Sequence, residues 1–178
     1  TIPSTIAKIP EYAFNNCSGF YGSLTIPPYI EFIGSYAFCG CKGLNGSLKV
    51  EPGVTTIQEG AFRDCYNLHG DLCIPISVEL IGKEAFSGCS GFDGKLTISK
   101  NRNLTVITQN LFYQCYNFIG SLEIPSSVET IEQNAFYNCF GFNGLSIPNQ
   151  VKYIGEKAFY NCHGFKSAIN IPSNVNFT

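Results

Sequence analysis

The chain has no tryptophan and no methionine, only two histidines, and a charged fraction of only 13%. Eleven Lys and Arg face thirteen Asp and Glu, a net charge of −2, so no excess of one sign marks a surface for nucleic acid or for an anionic membrane. No apolar run approaches the ~18 residues of a membrane-spanning helix, so no membrane insertion is expected of this segment. The start carries no charged-then-apolar leader. Without an initiator methionine, the chain reads as a processed form or a piece of a longer one. Catalysis has little to work with. His69 and His163 both sit in turns and do not recur, and the glycines lack the Lys-Ser/Thr of a phosphate loop. No enzyme, cofactor or metal is expected.

What is present is repetition. The 178 residues are 44% hydrophobic and 14% aromatic, all Phe and Tyr, enough to bury the core of one domain. An apolar-Phe pair (Leu-Phe in one unit, Ala-Phe in the others) is followed three residues later by Cys17, Cys41, Cys65, Cys89, Cys115, Cys139 and Cys162, at gaps of 24, 24, 24, 26, 24 and 23. The longer gap holds two extra residues in the turn Ser99–Asn103, and the shorter one reflects a residue missing after Gly144. A fixed period of this length is the signature of a stacked solenoid, because one such unit cannot bury its apolar face alone.

Within each unit, Leu24-Thr25-Ile26 alternates in, out, in, as a short strand does. Pro27 ends it, as do Pro75, Pro125, Pro148 and Pro172 elsewhere, since proline lacks the amide donor. Ile33, Ala37, Phe38 and Cys41 then fall at i, i+4, i+5 and i+8, the spacing of one face of a short helical turn. Two residues past each ladder cysteine stands Gly19, Gly43, Asn67, Gly91, Asn117, Gly141 or Gly164, read as the left-handed residue that closes that turn. A second glycine, from Gly22 to Gly144 and replaced by Ser167 in the last unit, leads into the next strand. The expected fold is therefore a solenoid of about seven ~24-residue repeats. Each repeat has one parallel strand and one helical turn, in a curved or right-handed superhelical stack about 30–35 Å long.

The run Leu-x-Ile-Pro-x-x-Val-x-x-Ile-Gly/Glu-x-x-Ala-Phe-x-x-Cys resembles the BspA-like leucine-rich repeat family over all 178 residues. The resemblance implies a single leucine-rich-repeat domain. Members of that family are largely surface proteins of mucosal bacteria and parasitic protists, associated with adhesion to host cells and to matrix proteins such as fibronectin and fibrinogen. It therefore implies a non-enzymatic module, secreted or at the cell surface, whose partner is a host or matrix protein. No residue-level binding motif is shared across the family, so no site carries over.

Candidate sites come from the residues themselves. Stacked parallel thiols fit disulfide geometry poorly, so the seven ladder cysteines read as a buried column of free thiols. Cys39 and Cys73 fall outside that column and are expected to face solvent. Ser23, Thr25, Lys49, Thr97 and Glu123 mark the outward strand face, which lacks the aromatic and Arg anchors of a binding hot spot. A second surface is richer. In the last three units the residue after each Phe is Tyr113, Tyr137 or Tyr160, and the residue after each Cys is Tyr116, Phe140 or His163. The two positions share a face, so six rings form an exposed patch, either a partner surface or a ladder that only stabilises the wall. Four N-glycosylation sequons occur, at Asn16, Asn45, Asn103 and Asn176.

Both ends fall inside a repeat without a polar cap, so the chain is expected to be uncapped, its parent to be longer, and copies to pair end to end. Two other readings stand beside the adhesin. One is an intracellular scaffold, which the abundance of unpaired thiols favours. The other is a passive surface stalk or antigen without a dedicated ligand.

Overall fold

Proline, glycine and the alternating Leu-x-Ile triplets divide each repeat into strand, strand and wall. The computed structural model describes residues 2–166 and 168–177. The turn position Ser167 and the terminal Thr1 and Thr178 lie outside them. Coils are numbered here by ladder cysteine, from coil one (Cys17) to coil seven (Cys162).

Fourteen short strands of two kinds occur among the described residues, alternating from β1 to β13. In chain order they are β1 (Lys8–Ile9), β2 (Leu24–Ile26), β3 (Phe32–Ile33), β4 (Leu48–Val50), β5 (Thr56–Ile57), β6 (Leu72–Ile74) and β7 (Leu80–Ile81). There follow β8 (Leu96–Ile98), β9 (Val106–Ile107), β10 (Ser121–Glu123), β11 (Thr130–Ile131), β12 (Gly144–Ser146), β13 (Tyr153–Ile154) and β14 (Asn176–Phe177). All pairings are parallel and in register, coil on coil, as in Leu24 with Leu48 and Ile33 with Ile57. The coil is thus strand-bearing on two successive sides, where the sequence pattern had marked only one. The two-residue strands form the sheets β1-β3-β5-β7 and β9-β11-β13-β14, while the three-residue strands pair as β2-β4, β6-β8 and β10-β12.

The break between β7 and β9 falls where the two extra residues enter. Side chains replace the ladder there. The Asn101 amide donates to the Ile76 and Val78 carbonyls at 2.7 and 2.8 Å, and the Thr108 hydroxyl donates to the Ile81 and Gly82 carbonyls at 3.1 Å.

The expected helical turn is absent among the described residues, and a physical reason excludes it. Phe rings of adjacent coils stack with centroids 5.1–5.7 Å apart. Packed helices need about 8–10 Å between axes, so no helix fits one coil step. The wall is instead a series of overlapping tight turns. Ala37, Cys39 and Cys41 donate three residues back within the coil, to Gly34, Tyr36 and Phe38. The alternate amides of Tyr36, Phe38 and Gly40 donate to Glu59, Ala61 and Arg63 of the next coil, each at 2.8 Å. Turns of this kind repeat a side every four residues much as a helix does, which is why the spacing read as helical.

The left-handed residues also lie elsewhere than expected. They precede the Ala-Phe pair (Tyr12, Tyr36, Glu84, Asn134) and the Cys (Asn16, Gly40, Asp64, Gly88, Asn138), with φ between 54° and 74°. The position two past the Cys is instead a close approach. A β-carbon on Gly43 would strike the Phe20 and Ser18 carbonyl oxygens of the preceding coil. Where Asn stands at that position, its amide bonds the neighbouring coil, Asn67 to the Lys42 carbonyl at 2.6 Å and Asn117 to Ser90 at 2.8 Å.

The core is a set of columns, one residue type per coil, almost all fully buried. One Phe column runs from Phe14 to Phe159, and a second takes over as Phe92, Phe118 and Phe142 where coils two and three have Leu44 and Leu68.

Candidate interaction surface

The wall that buries Phe and Cys inward turns its intervening residues outward, and these differ between coils. In coils five to seven the six aromatic candidates form two stacks. Tyr113, Tyr137 and Tyr160 lie 4.9 Å apart, and Tyr116, Phe140 and His163 lie 5.0 and 5.1 Å apart, all nearly parallel. Stacking hides ring faces and leaves edges and phenol hydroxyls outward. Tyr113, Tyr116, Tyr137 and Phe140 are half-buried, whereas Tyr160 and His163 are exposed. Burial, and after it the neighbouring Tyr113, raises the Tyr116 phenol above its ordinary value of 10.0. Amides lie between the stacks. Asn161 donates to Asn138 at 2.9 Å and sits 3.2 Å from the His163 Nδ1. This patch carries no acid or strong base between its columns.

Coils two to four show Cys39, Arg63 and Ser87, and Lys42, Tyr66 and Ser90, at the same positions. Arg63 pairs with Glu84, and Tyr36 donates to Glu59 at 2.5 Å, which pushes that phenol up to about 12. The outward strand residues Ser23, Thr25, Lys49, Thr97 and Glu123 are all exposed.

Six ladder cysteines are buried and Cys17 is half-buried. From Cys41 to Cys162, each thiol donates to the Phe carbonyl of the preceding coil at 3.0–3.1 Å. The column is therefore a row of hydrogen-bonded groups as well as small apolar ones, a role the spacing did not reveal. Burial pushes the thiols up, to about 11 for Cys41 and Cys162 and well above the ordinary 9.0 for Cys89, Cys115 and Cys139. Cys73 faces solvent as expected, but Cys39 is half-buried, and burial followed by Asp64 raises its thiol.

The sequon residues Asn16, Asn45, Asn103 and Asn176 are all exposed. Asn45 Oδ1 accepts from the Gly22 amide at 2.8 Å, and the Asn103 amide donates to Glu79 at 2.9 Å. Among the described residues no cluster of His, Cys, Asp or Glu could hold a metal ion, and no helix is long and apolar enough to cross a membrane. A cavity of about 750 Å³ lies away from the aromatic wall, at the N-terminal end of the stack, where core groups such as Phe14, Leu24 and Phe38 line it. It is the open end of the core and gathers few polar groups.

In-register parallel strands, a stacked Phe column and turns at a 24-residue period define a leucine-rich-repeat solenoid. The chain belongs to the family of the BspA type leucine rich repeat region, whose profile matches residues 1–90 and 70–178 in six copies. A leucine-rich repeat protein from Eubacterium ventriosum shares the fold at 25% identity and a TM-score of 0.72, with 86% of this chain covering 40% of that one. The T. pallidum leucine rich repeat protein matches at 24% identity and 0.72, covering 92% of this chain and 76% of its own. The pneumococcal vaccine antigen PcpA matches at 20% and 0.52, over 99% and 56%. No curated protein matches the sequence. As a class, leucine-rich repeats of this family are protein-interaction modules, generally without catalytic function.

Proposed function

We propose that this chain is displayed at a cell surface or secreted, and that it binds a host-cell or extracellular-matrix protein through the aromatic wall of coils five to seven. The observation that carries this reading is the confinement of two outward ring stacks to three coils, over a Phe and a Cys column that run unbroken through all of them. The fold does not need these rings, since the inner Phe column is complete in coils where Cys39, Arg63 or Ser87 replaces them. Exposed aromatics grouped in this way are typical of protein interfaces. The family and the vaccine antigen among its structural neighbours support a surface location.

The test is competition. Soluble chain is expected to reduce attachment of source cells to host cells or to immobilised fibronectin. A folded Tyr113→Ser, Tyr137→Ser, Tyr160→Ser variant is expected to lose that effect. Equal competition by the variant would remove the wall from the proposal, and no competition by either form would leave a passive stalk. A second reading, an intracellular scaffold, draws on the absence of any disulfide among the nine cysteines. Burial of six of them weakens that argument, because a buried thiol resists oxidation in any compartment. Antibody staining of intact against permeabilised cells separates the two. The surface reading also makes Asn16, Asn45, Asn103 and Asn176 candidate glycan sites in a eukaryotic source, which peptide mass mapping before and after deglycosylation checks.

A further inference from the structure

Both outward columns carry a serine at coil four, where Ser87 stands between Arg63 and Tyr113, and Ser90 between Tyr66 and Tyr116. The two positions differ. Arg63 reaches from coil three to bond Glu84 of coil four, and Ser87 beside it is buried, 8% exposed. Ser90 has no such neighbour. It is half-buried, and its hydroxyl has no hydrogen-bond partner among the described residues. Tyr66, in the coil before, is 41% exposed and carries the Lys42 ammonium 5.7 Å from its ring centroid, on the side of coil two. Tyr116, in the coil after, stacks on Phe140 at 5.0 Å, on the side of coil six. At the position between these two rings coil four carries a serine, Ser90, in place of a ring.

From coil three to coil five is two coil steps, about 10 Å at ~4.8 Å per step. Each rung of the neighbouring ladders takes one step, 4.9–5.1 Å between centroids. The interval between Tyr66 and Tyr116 therefore has room for a single additional ring, stacked on both sides. Its floor is Ser90 and Gly91, and Gly91 packs so close to the Tyr66 and Leu68 carbonyl oxygens that a β-carbon there would strike them.

We infer that this interval is a one-ring slot that receives an aromatic side chain of a partner protein as the missing rung. A planar ring is the shape that continues the nearly parallel Tyr116–Phe140 ladder by one step toward Tyr66. The Ser90 hydroxyl at the floor is placed to bond a phenol or indole polar atom. A nucleobase is disfavoured by the net charge of −2 and by the lack of a basic surface to hold its phosphates. The slot rests on the preceding proposal in one respect, that this wall is the face that meets protein partners.

Because the chain has no tryptophan, the indole emission of N-acetyl-L-tryptophanamide reports on the probe alone. Titration with the intact chain is expected to give saturable quenching or a spectral shift, with displacement by N-acetyl-L-tyrosinamide but not by N-acetyl-L-leucinamide. Ser90→Tyr, which supplies the rung from within, is expected to weaken probe binding at least about tenfold while keeping or raising the thermal midpoint. Tyr66→Ser, which removes one side of the slot, is expected to weaken it similarly and serves if Ser90→Tyr folds poorly. Non-saturable binding to the unaltered chain, equal affinity in both variants, or equal displacement by the leucine amide would overturn the slot. The readout involves no host protein. Loss of host attachment in the triple Tyr→Ser variant can therefore stand while the slot fails, and the slot can stand if that variant still competes.

Discussion

Coils two to four and coils five to seven bury the same columns but present different walls. Inside, Phe38, Phe62 and Phe86 continue without interruption into Phe112, Phe136 and Phe159. Outside, ion pairs and small groups give way to two aromatic stacks at the same backbone positions. The contrast separates two demands on one segment. Stacking at a fixed step constrains whatever points inward, because any change in volume is felt by the coils above and below. It leaves outward positions free, so a grouped change there calls for a reason other than folding.

The largest test of that contrast is to break the core on each side of it. Phe62→Ala and Phe136→Ala should each lower unfolding free energy by about 3–5 kcal/mol, and by similar amounts, as read from urea midpoints. A clear inequality would mean that the two regions differ within as well as without. The thiol column gives a pH test. The folded-state values of its six buried thiols lie above the ordinary 9.0, about 11 for Cys41, so the folded chain holds protons that the unfolded chain releases. Stability from this source is complete below pH 9.0 and is lost as pH rises toward and through the folded values. The thermal midpoint should therefore be insensitive to the thiols near neutrality and fall in alkaline solution. Blunting of that fall in Cys89→Ala would identify the thiols as its origin. Cys89→Ala itself should cost about 1–2 kcal/mol at neutral pH, the sum of a small void and a lost bond to the Phe62 carbonyl.

The walls should matter least for stability. Removing one stacked partner, as in Tyr137→Ser, is worth about 0.5–1.5 kcal/mol. Arg63→Ala, which breaks a partly exposed ion pair with Glu84, should cost about 1 kcal/mol or less. If Tyr137→Ser proved as costly as Phe136→Ala, the aromatic wall would be structural and the argument for an interface would lose its basis.

Much of the candidate site was legible because each coil repeats one side-chain address. The column of Tyr113, Tyr137 and Tyr160 follows from counting one residue past each Phe, and their stacking follows from coils in register. The left-handed positions were misassigned because glycine and asparagine serve two purposes here. Gly43 is small to let a neighbouring coil approach, whereas Asn16, Gly40, Asp64 and Asn138, one residue before the Cys, adopt positive φ. Their shared preference for Asn, Gly and Asp was a readable sign. The thiol bond to the preceding Phe carbonyl was not readable, since Cys and a small apolar residue serve equally well in a periodicity argument.

Repeat number, register, the buried columns and the place of the outward rings were determined by the sequence alone, because a stacked repeat maps each position onto its counterpart one period away. Three features were decided only in the tertiary structure. The wall became turns and not a helix, because a coil step near 5 Å cannot hold one. The sheet of two-residue strands was cut at the inserted turn, because two extra residues shift the backbone off its partners and leave Asn101 and Thr108 to supply the bonds. The two serines of coil four were set apart, because Arg63 reaches Glu84 beside buried Ser87, whereas Ser90 stays half-buried between the Tyr66 and Tyr116 positions.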